Sequence, residues 1–339
     1  MQDDILKLAY EVSAITESKI HLIDSVMRQA RFLSINAHIE AARAGQAGVA
    51  FTILADEMGK IASTITSISN ELRAAITDST GRLHHLGTDL VLNHKGSRFT
   101  DLALNVIELI DRNLYERSCD VRWWATDSAV VDAASTSLQS DFEHACERLH
   151  TILKSYTVYL DLCIADRAGK IIACGRPNLY TGQIGTDISG VEWFRNAMQT
   201  KSGDDFVVAD VRRSPALNNA ITATYATAIR ENGEANGKII GALGIAFDWL
   251  PQAQAIVQGV HLTDDEKATT RVMIVDAAHR VIAASDDAGI LTETLPFEPA
   301  GPRGFYVRDG RLIAYALTPG YETYRGLGWY GVIETKIEG

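Results

Sequence analysis

Cysteine is scarce. The four in 339 residues, Cys119, Cys146, Cys163 and Cys174, include no C-x-x-C and no spacing suited to metal ligands. That excludes a disulfide framework or a structural zinc module, and in a reducing cytoplasm the thiols are expected to stay free. Basic residues are in the minority, 32 against 43 acidic ones, and the net charge of −11 argues against nucleic acid or an anionic membrane as the main partner. Long hydrophobic runs are missing too: residues 239–247 form the longest near-continuous one, too short to span a bilayer. The start, Met1-Gln2-Asp3-Asp4, is acidic, unlike a basic and apolar signal peptide. A cytoplasmic protein without membrane insertion is expected. No G-x-S-x-G, G-x-x-x-x-G-K or H-E-x-x-H occurs, so neither enzymatic activity nor a cofactor is expected.

What is present begins with a heptad. Ile5, Leu8, Val12, Ile15, Leu22, Val26 and Leu33, then Phe51, Leu54, Met58, Ile61, Ile65, Ile68, Leu72 and Ala75, recur at threes, fours or whole heptads. That spacing predicts two coiled-coil helices. Their seams are mirror-placed about residue 42, as in an antiparallel hairpin with its tip at residues 40–43. No proline or paired glycine breaks the tip, so the reversal should be tight and mostly helical. A lone hairpin leaves its seam open, so a dimeric four-helix bundle is expected.

Asn36, Ala37, Ile39-Glu40-Ala41-Ala42-Arg43-Ala44-Gly45, Phe51, Ala55, Asp56 and Glu57 resemble the signalling tip of methyl-accepting chemotaxis receptors over residues 20–72. The resemblance implies that Asn36, Glu40 and Arg43 form a contact surface for a chemotaxis histidine kinase and its coupling protein, in homodimers that associate into larger receptor clusters. Arg28 stands where relatives carry an aromatic or aliphatic residue, and His38 where alanine is usual. The adjacent Glu/Gln pairs that serve as methylation sites are absent.

Glycines, histidines and Asn93 in residues 81–97 mark a linker after the hairpin of residues 1–80. His84, His85 and His94 read there as solvated side chains, not as metal ligands. From residue 98 to about 154 the pattern suits one long helix or two stacked ones. The charged stretch from Arg112 to Asp127, with Trp123 and Trp124, reads either as a binding surface or as salt-bridged packing between subunits. Beyond residue 157 the period changes to two. Strands are expected near 158–164, 170–174, 206–211, 220–229 and 238–247, with a helix at 191–200. A second set follows at 271–276, 279–285, 304–308, 312–317 and 329–334. The fold class is therefore α+β: a helical hairpin, a long helix and two PAS-like antiparallel sheets with helices on one face.

Asp166-x-x-Gly169, Gly185-x-Asp187, Trp193-Phe194, Val208-Ala209-Asp210-Val211 and Ser214, with the later Gly326-Leu327-Gly328-Trp329-Tyr330, are similar to a double Cache sensor domain, with modules at residues 98–255 and 256–339. The resemblance implies a small-molecule pocket in the first module. Trp193, Phe194 and Asp210 would face the ligand, with Tyr180, Tyr225 and Asp248 as further candidates. Val191 stands where amino-acid-binding relatives carry a carboxylate-clamping arginine, which points to a neutral or cationic ligand with Asp210 as counter-ion. The function implied is a chemotaxis transducer that senses a small molecule; the alternative is a non-sensing adaptor of receptor arrays whose Cache domain serves dimerisation. Cys163 and Cys174 lie about equally far from the turn at Ala168-Gly169 and are expected to oppose one another across two strands.

Overall fold

The computed structural model describes residues 2–337, and side chains from residue 7. The side chain of Ile5 and the outer ends of the predicted hairpin and second module, at residues 1 and 339, lie outside these ranges. The chain divides into two compact units, the first ending at Lys95 and the second starting at Gly96.

The first unit is an antiparallel helical hairpin. Helix α1 (Gln2–Arg43) is followed by a 3-10 turn (Gly45–Gly48) and by α2 (Val49–Trp124), whose residues up to Lys95 form the second arm. The reversal thus comes later than residues 40–43, because Gly45 takes the left-handed conformation (φ 55°) that ends a helix at low steric cost. At Gly48 a Cβ would sit 2.0 Å from the Ala41 carbonyl oxygen, so only glycine fits the turn.

The face between the arms also differs from the predicted seam. Ile20, Ser34 and Ala41 on α1, and Ala55, Ala62 and Ser69 on α2, are the buried positions, spaced in whole heptads. Leu8, Val12, Ile15, Leu22, Val26, Leu33, Phe51, Leu54, Ile61, Ile68 and Leu72 are exposed. Small side chains let the backbones approach, and the Ser34 hydroxyl donates to the Ala55 carbonyl at 2.7 Å. The larger residues are left on the open flank. Lower down, Arg73 ties the arms by donating to Glu17 at 2.9 Å and Asp24 at 3.0 Å.

No irregular linker follows the hairpin: residues 81–97 are helical throughout. Each helical glycine costs about 1 kcal/mol relative to alanine, which a long helix without proline absorbs.

In the second unit, residues of α2 from Gly96 onward pack along both sheets. Phe99, Ala103, Ile107, Ile110, Leu114, Val121 and Trp124 are buried. A Cβ at Gly331 would meet the Ala103 carbonyl oxygen at 2.2 Å, which shows how closely helix and sheet approach. The charged stretch from Arg112 to Asp127 is divided: Arg112, Glu116 and Trp123 are exposed, whereas Arg117, Asp120 and Trp124 turn inward. Arg117 is buried over the rings of Tyr159 and Phe247, and Asp120 accepts from the Tyr159 hydroxyl. Asp111 accepts from the Thr318 hydroxyl and the Gly320 N–H. Helix α2 ends at Trp124, where Asp127 caps α3 (Ser128–Ser135) by accepting the Ala129 N–H at 3.1 Å; α4 (Gln139–Ser155) follows. The predicted 98–154 helix is therefore three pieces.

The first module comprises β1 (Tyr159–Asp166), β2 (Ile171–Cys174), α5 (Glu192–Ala197), β3 (Val207–Ser214), β4 (Ala220–Arg230) and β5 (Ile239–Asp248), in the antiparallel order β2-β1-β5-β4-β3. Helices α6 (Trp249–Gln258) and α7 (Asp264–Thr269) lead into the second module. Its strands are β6 (Thr270–Val275), β7 (Val281–Ala284), β8 (Arg303–Arg308), β9 (Arg311–Leu317) and β10 (Tyr330–Lys336), in the matching order β7-β6-β10-β9-β8. Trp249 joins the modules: its indole N–H donates to the Ile282 carbonyl at 2.7 Å and its ring meets Trp329 edge-on. Among the described residues no helix is long and apolar enough to cross a membrane.

Candidate functional site

The candidate residues fall in two places. At the end of α1, Asn36, Glu40 and Arg43 are exposed. Arg43 donates to Glu40 at 2.8 Å, a solvated pair of little energetic consequence, so both groups remain accessible. Phe32, Ile35, Ile39, Phe51 and Ile53, on the same stretch of the hairpin, are exposed as well. His38, where alanine was the usual residue, pairs with Asp56 across the hairpin at 3.0 Å.

The second place is a cavity of about 440 Å³ on one face of the first sheet. The pleat decides who lines it. Asp161 and Cys163 of β1 lie across from Ala246 and Gly244 of β5, and Thr224 of β4 lies across from Ala246; all five line the cavity, as does Thr222. The opposite wall comes from the β2–α5 segment, with Gln183, Asp187, Ile188, Val191 and Trp193. Gly244 is required there, because its Cβ would fall 2.8 Å from the Trp193 indole.

Of the sequence candidates, Trp193 is the one in this lining. Phe194, the next residue on α5, turns into the core with Ala197 and Cys174. Tyr180 is buried beside the cavity with Leu217 and Ala246. Tyr225 is buried and stacks on Phe206, since odd-numbered residues of β4 face away from Thr222 and Thr224. Asp248 sits where β5 meets α6 without a side-chain cap bond, its pKa raised by burial. Asp210 is exposed outside the lining and accepts its neighbour's Val211 N–H at 2.7 Å; the charges that act on it are Asp276, Arg280 and Glu192. The expected counter-ion is therefore not on the cavity wall. A bulge between Ala209 and Arg212 shifts the β3 register and brings Arg212 and Arg213 to the lining instead. Arginine thus enters from β3, not from position 191.

Asp161 is the buried charge of the cavity. Its Oδ1 accepts from the N–H groups of Leu162, Gly175 and Arg176 at 2.8–3.1 Å, and its Oδ2 from the Gln183 amide at 3.3 Å. Burial nevertheless wins over these bonds and raises its pKa to about 6. Asp187 is exposed, and its pKa is lowered by hydrogen bonds from Ser189. Sequence reasoning missed Asp161 although it shares a face with Cys163 by simple alternation; the arginines gave no signal, because a bulge leaves no mark in composition. Among the described residues one potential metal-ligand group converges, Asp161, Cys163 and Cys174, with ligand atoms within 4.8 Å.

Residues 1–116 match the family description "Methyl-accepting chemotaxis protein (MCP) signalling domain". The methyl-accepting chemotaxis aspartate transducer of Klebsiella aerogenes is 33% identical over 108 residues, covering 32% of this chain and 19% of the relative. The chain spans only 11–19% of the length of the curated relatives it matches. The second unit has the fold of sensor domains. The ligand-binding domain of the Campylobacter jejuni chemoreceptor Tlp3, solved with 4-methylisoleucine, superposes with a TM-score of 0.51 at 17% identity, over 71% of this chain and 90% of that one. The sensor domain of the V. cholerae histidine kinase DctB gives 0.51 at 14% identity, over 74% and 99%.

Proposed function

We propose that this chain is a chemotaxis signal transducer in which the cavity of the first module binds a small molecule and the hairpin docks a histidine kinase and its coupling protein. The observation that carries the reading is the cavity itself. It offers an aromatic wall, Trp193, and charges of both signs, Arg212 and Arg213 with Asp161 and Asp187, in a chain with no catalytic motif. Such pockets are mostly apolar, with a few polar groups fixing the ligand's orientation. Opposite charges across one small cavity suit a zwitterion: the guanidinium groups take a carboxylate and the acidic groups an ammonium. A small amino acid is the ligand class this favours, in place of the cation expected from Asp210, and the Tlp3 domain solved with 4-methylisoleucine supports the choice.

On the hairpin, the exposed apolar flank from Leu8 to Leu72 supports pairing with a second copy in a four-helix bundle, in which these residues fill the core. The tip would then present Asn36, Glu40 and Arg43 from both copies. The docking half is tested by pull-down of the kinase and coupling protein with wild type and Arg43→Ala. Loss of capture at unchanged helicity and dimer content is the expected outcome; equal capture would remove the tip from the docking surface.

A further inference from the structure

Two thiols face one another at the edge of this cavity, Cys163 in its lining and Cys174 in the core behind it. Cys163 of β1 and Cys174 of β2 are register partners, and the one bulge in this strand pair falls after them, between Ile164 and Ala165. The Gly175 N–H donates to the Leu162 carbonyl. That makes the cysteines a non-hydrogen-bonded pair, in which cross-strand side chains come closest. Both are buried, both are free, and their sulfurs are 3.0 Å apart. Closing to a bond of about 2.05 Å needs a sulfur movement of about 1 Å, within reach of small side-chain rotations. The pair is not sealed in the core either: Cys163 is part of the cavity lining and its sulfur is 3.3 Å from Gln183 Oε1.

Asp161 completes a set that could instead hold a thiophilic cation, but the geometry favours the disulfide. Tetrahedral bonds of about 2.3 Å would hold two thiolates about 3.8 Å apart, wider than the observed 3.0 Å.

We propose that Cys163 and Cys174 form a redox-modification site, in which a small hydroperoxide entering the cavity converts the two thiols to a reversible disulfide. The Cys163 sulfur, giving up its proton, attacks one peroxide oxygen: an S–O bond forms, the O–O bond breaks, and the alcohol leaves carrying a proton. Cys174 then attacks the sulfenic sulfur, forming S–S and breaking S–O, and water leaves with the remaining proton. Two thiols and one hydroperoxide give one disulfide, one alcohol and one water, and two electrons pass from sulfur to oxygen. The hydrogen bond with Cys174 and burial both raise the Cys163 pKa, so the thiol reacts slowly and records sustained exposure. Closure removes the thiol donor from Gln183, which also holds Asp161, and so alters the polar end of the cavity. This consequence rests on the cavity being the ligand site; the oxidation does not.

The test treats the full chain with tert-butyl hydroperoxide, blocks remaining thiols with an alkylating agent, and maps the non-reduced peptides by mass spectrometry. Cys119 and Cys146 lie outside this lining and act as internal references. The expected result is a Cys163–Cys174 cross-link, reversed by dithiothreitol, with neither Cys119 nor Cys146 in a disulfide. The absence of a Cys163–Cys174 link, or a Cys146–Cys174 link in its place, would overturn the proposal. So would stoichiometric Zn²⁺ binding lost in Cys163→Ser without any cross-link in the wild type. Because no ligand is needed, a failed ligand search leaves this result standing, and a missing cross-link leaves the ligand reading untouched.

Discussion

At the scale of single residues, Asp161 makes the stability of the first module depend on pH. Its carboxyl has a pKa of about 6 in the folded chain against an ordinary 3.8. Between those values the folded chain holds a proton that the unfolded chain has released. Stability contributed at this site is therefore greatest at low pH and falls as pH rises through about 6, by on the order of 3 kcal/mol in all. Asp161→Asn keeps an oxygen acceptor for the three backbone N–H groups and removes the titration. Denaturant unfolding of the two proteins across pH 4 to roughly 7 should show the wild type losing stability relative to the variant as pH rises. Parallel profiles would mean that Asp161 is ionised at no cost.

At the scale of elements, the hairpin separates residue types that hydrophobic periodicity lumps together. Ala55 is buried between the arms and Ile61 is exposed. Ala55→Leu should overpack the contact and cost the hairpin about 1–3 kcal/mol, seen as a lower melting temperature at every protein concentration. Ile61→Asp should spare the single hairpin and weaken the dimer, seen as a monomer by sedimentation. If Ala55→Leu is neutral, the arms do not pack through their small residues. The same contrast explains what the sequence could and could not reveal. The heptad was legible because Leu54, Ile61 and Ile68 are large and evenly spaced. The inward face was not, because Ala55, Ala62 and Ser69 carry little hydrophobic signal. The turn between β1 and β2, and with it the opposition of Cys163 and Cys174, could be read from Asp166 and Gly169. The fate of Asp210 could not, since it depends on a one-residue bulge in β3. Helix α2 carried through Gly81 and Gly87 because a glycine penalty breaks a helix only where something else competes for the backbone.

At the scale of the whole molecule, a hairpin that matches a chemoreceptor signalling domain and a unit with the fold of sensor domains share one chain. The reading of that chain as a sensor stands or falls on occupancy of the cavity. A ligand held by the folded state raises stability by about 2.7 kcal/mol at roughly 100 times its dissociation constant, so thermal shift against a panel of amino acids is the most direct measurement. The paired control is Gly244→Val, whose added side chain runs into the Trp193 indole and closes the cavity from within; circular dichroism of the unliganded variant establishes that it remains folded. The expected result is a concentration-dependent rise in melting temperature with at least one zwitterion in the wild type, absent from the folded variant. Contradiction would be a panel that shifts neither protein, or one that shifts both alike, which would leave the sensor-like unit as a dimerisation module of a non-sensing adaptor.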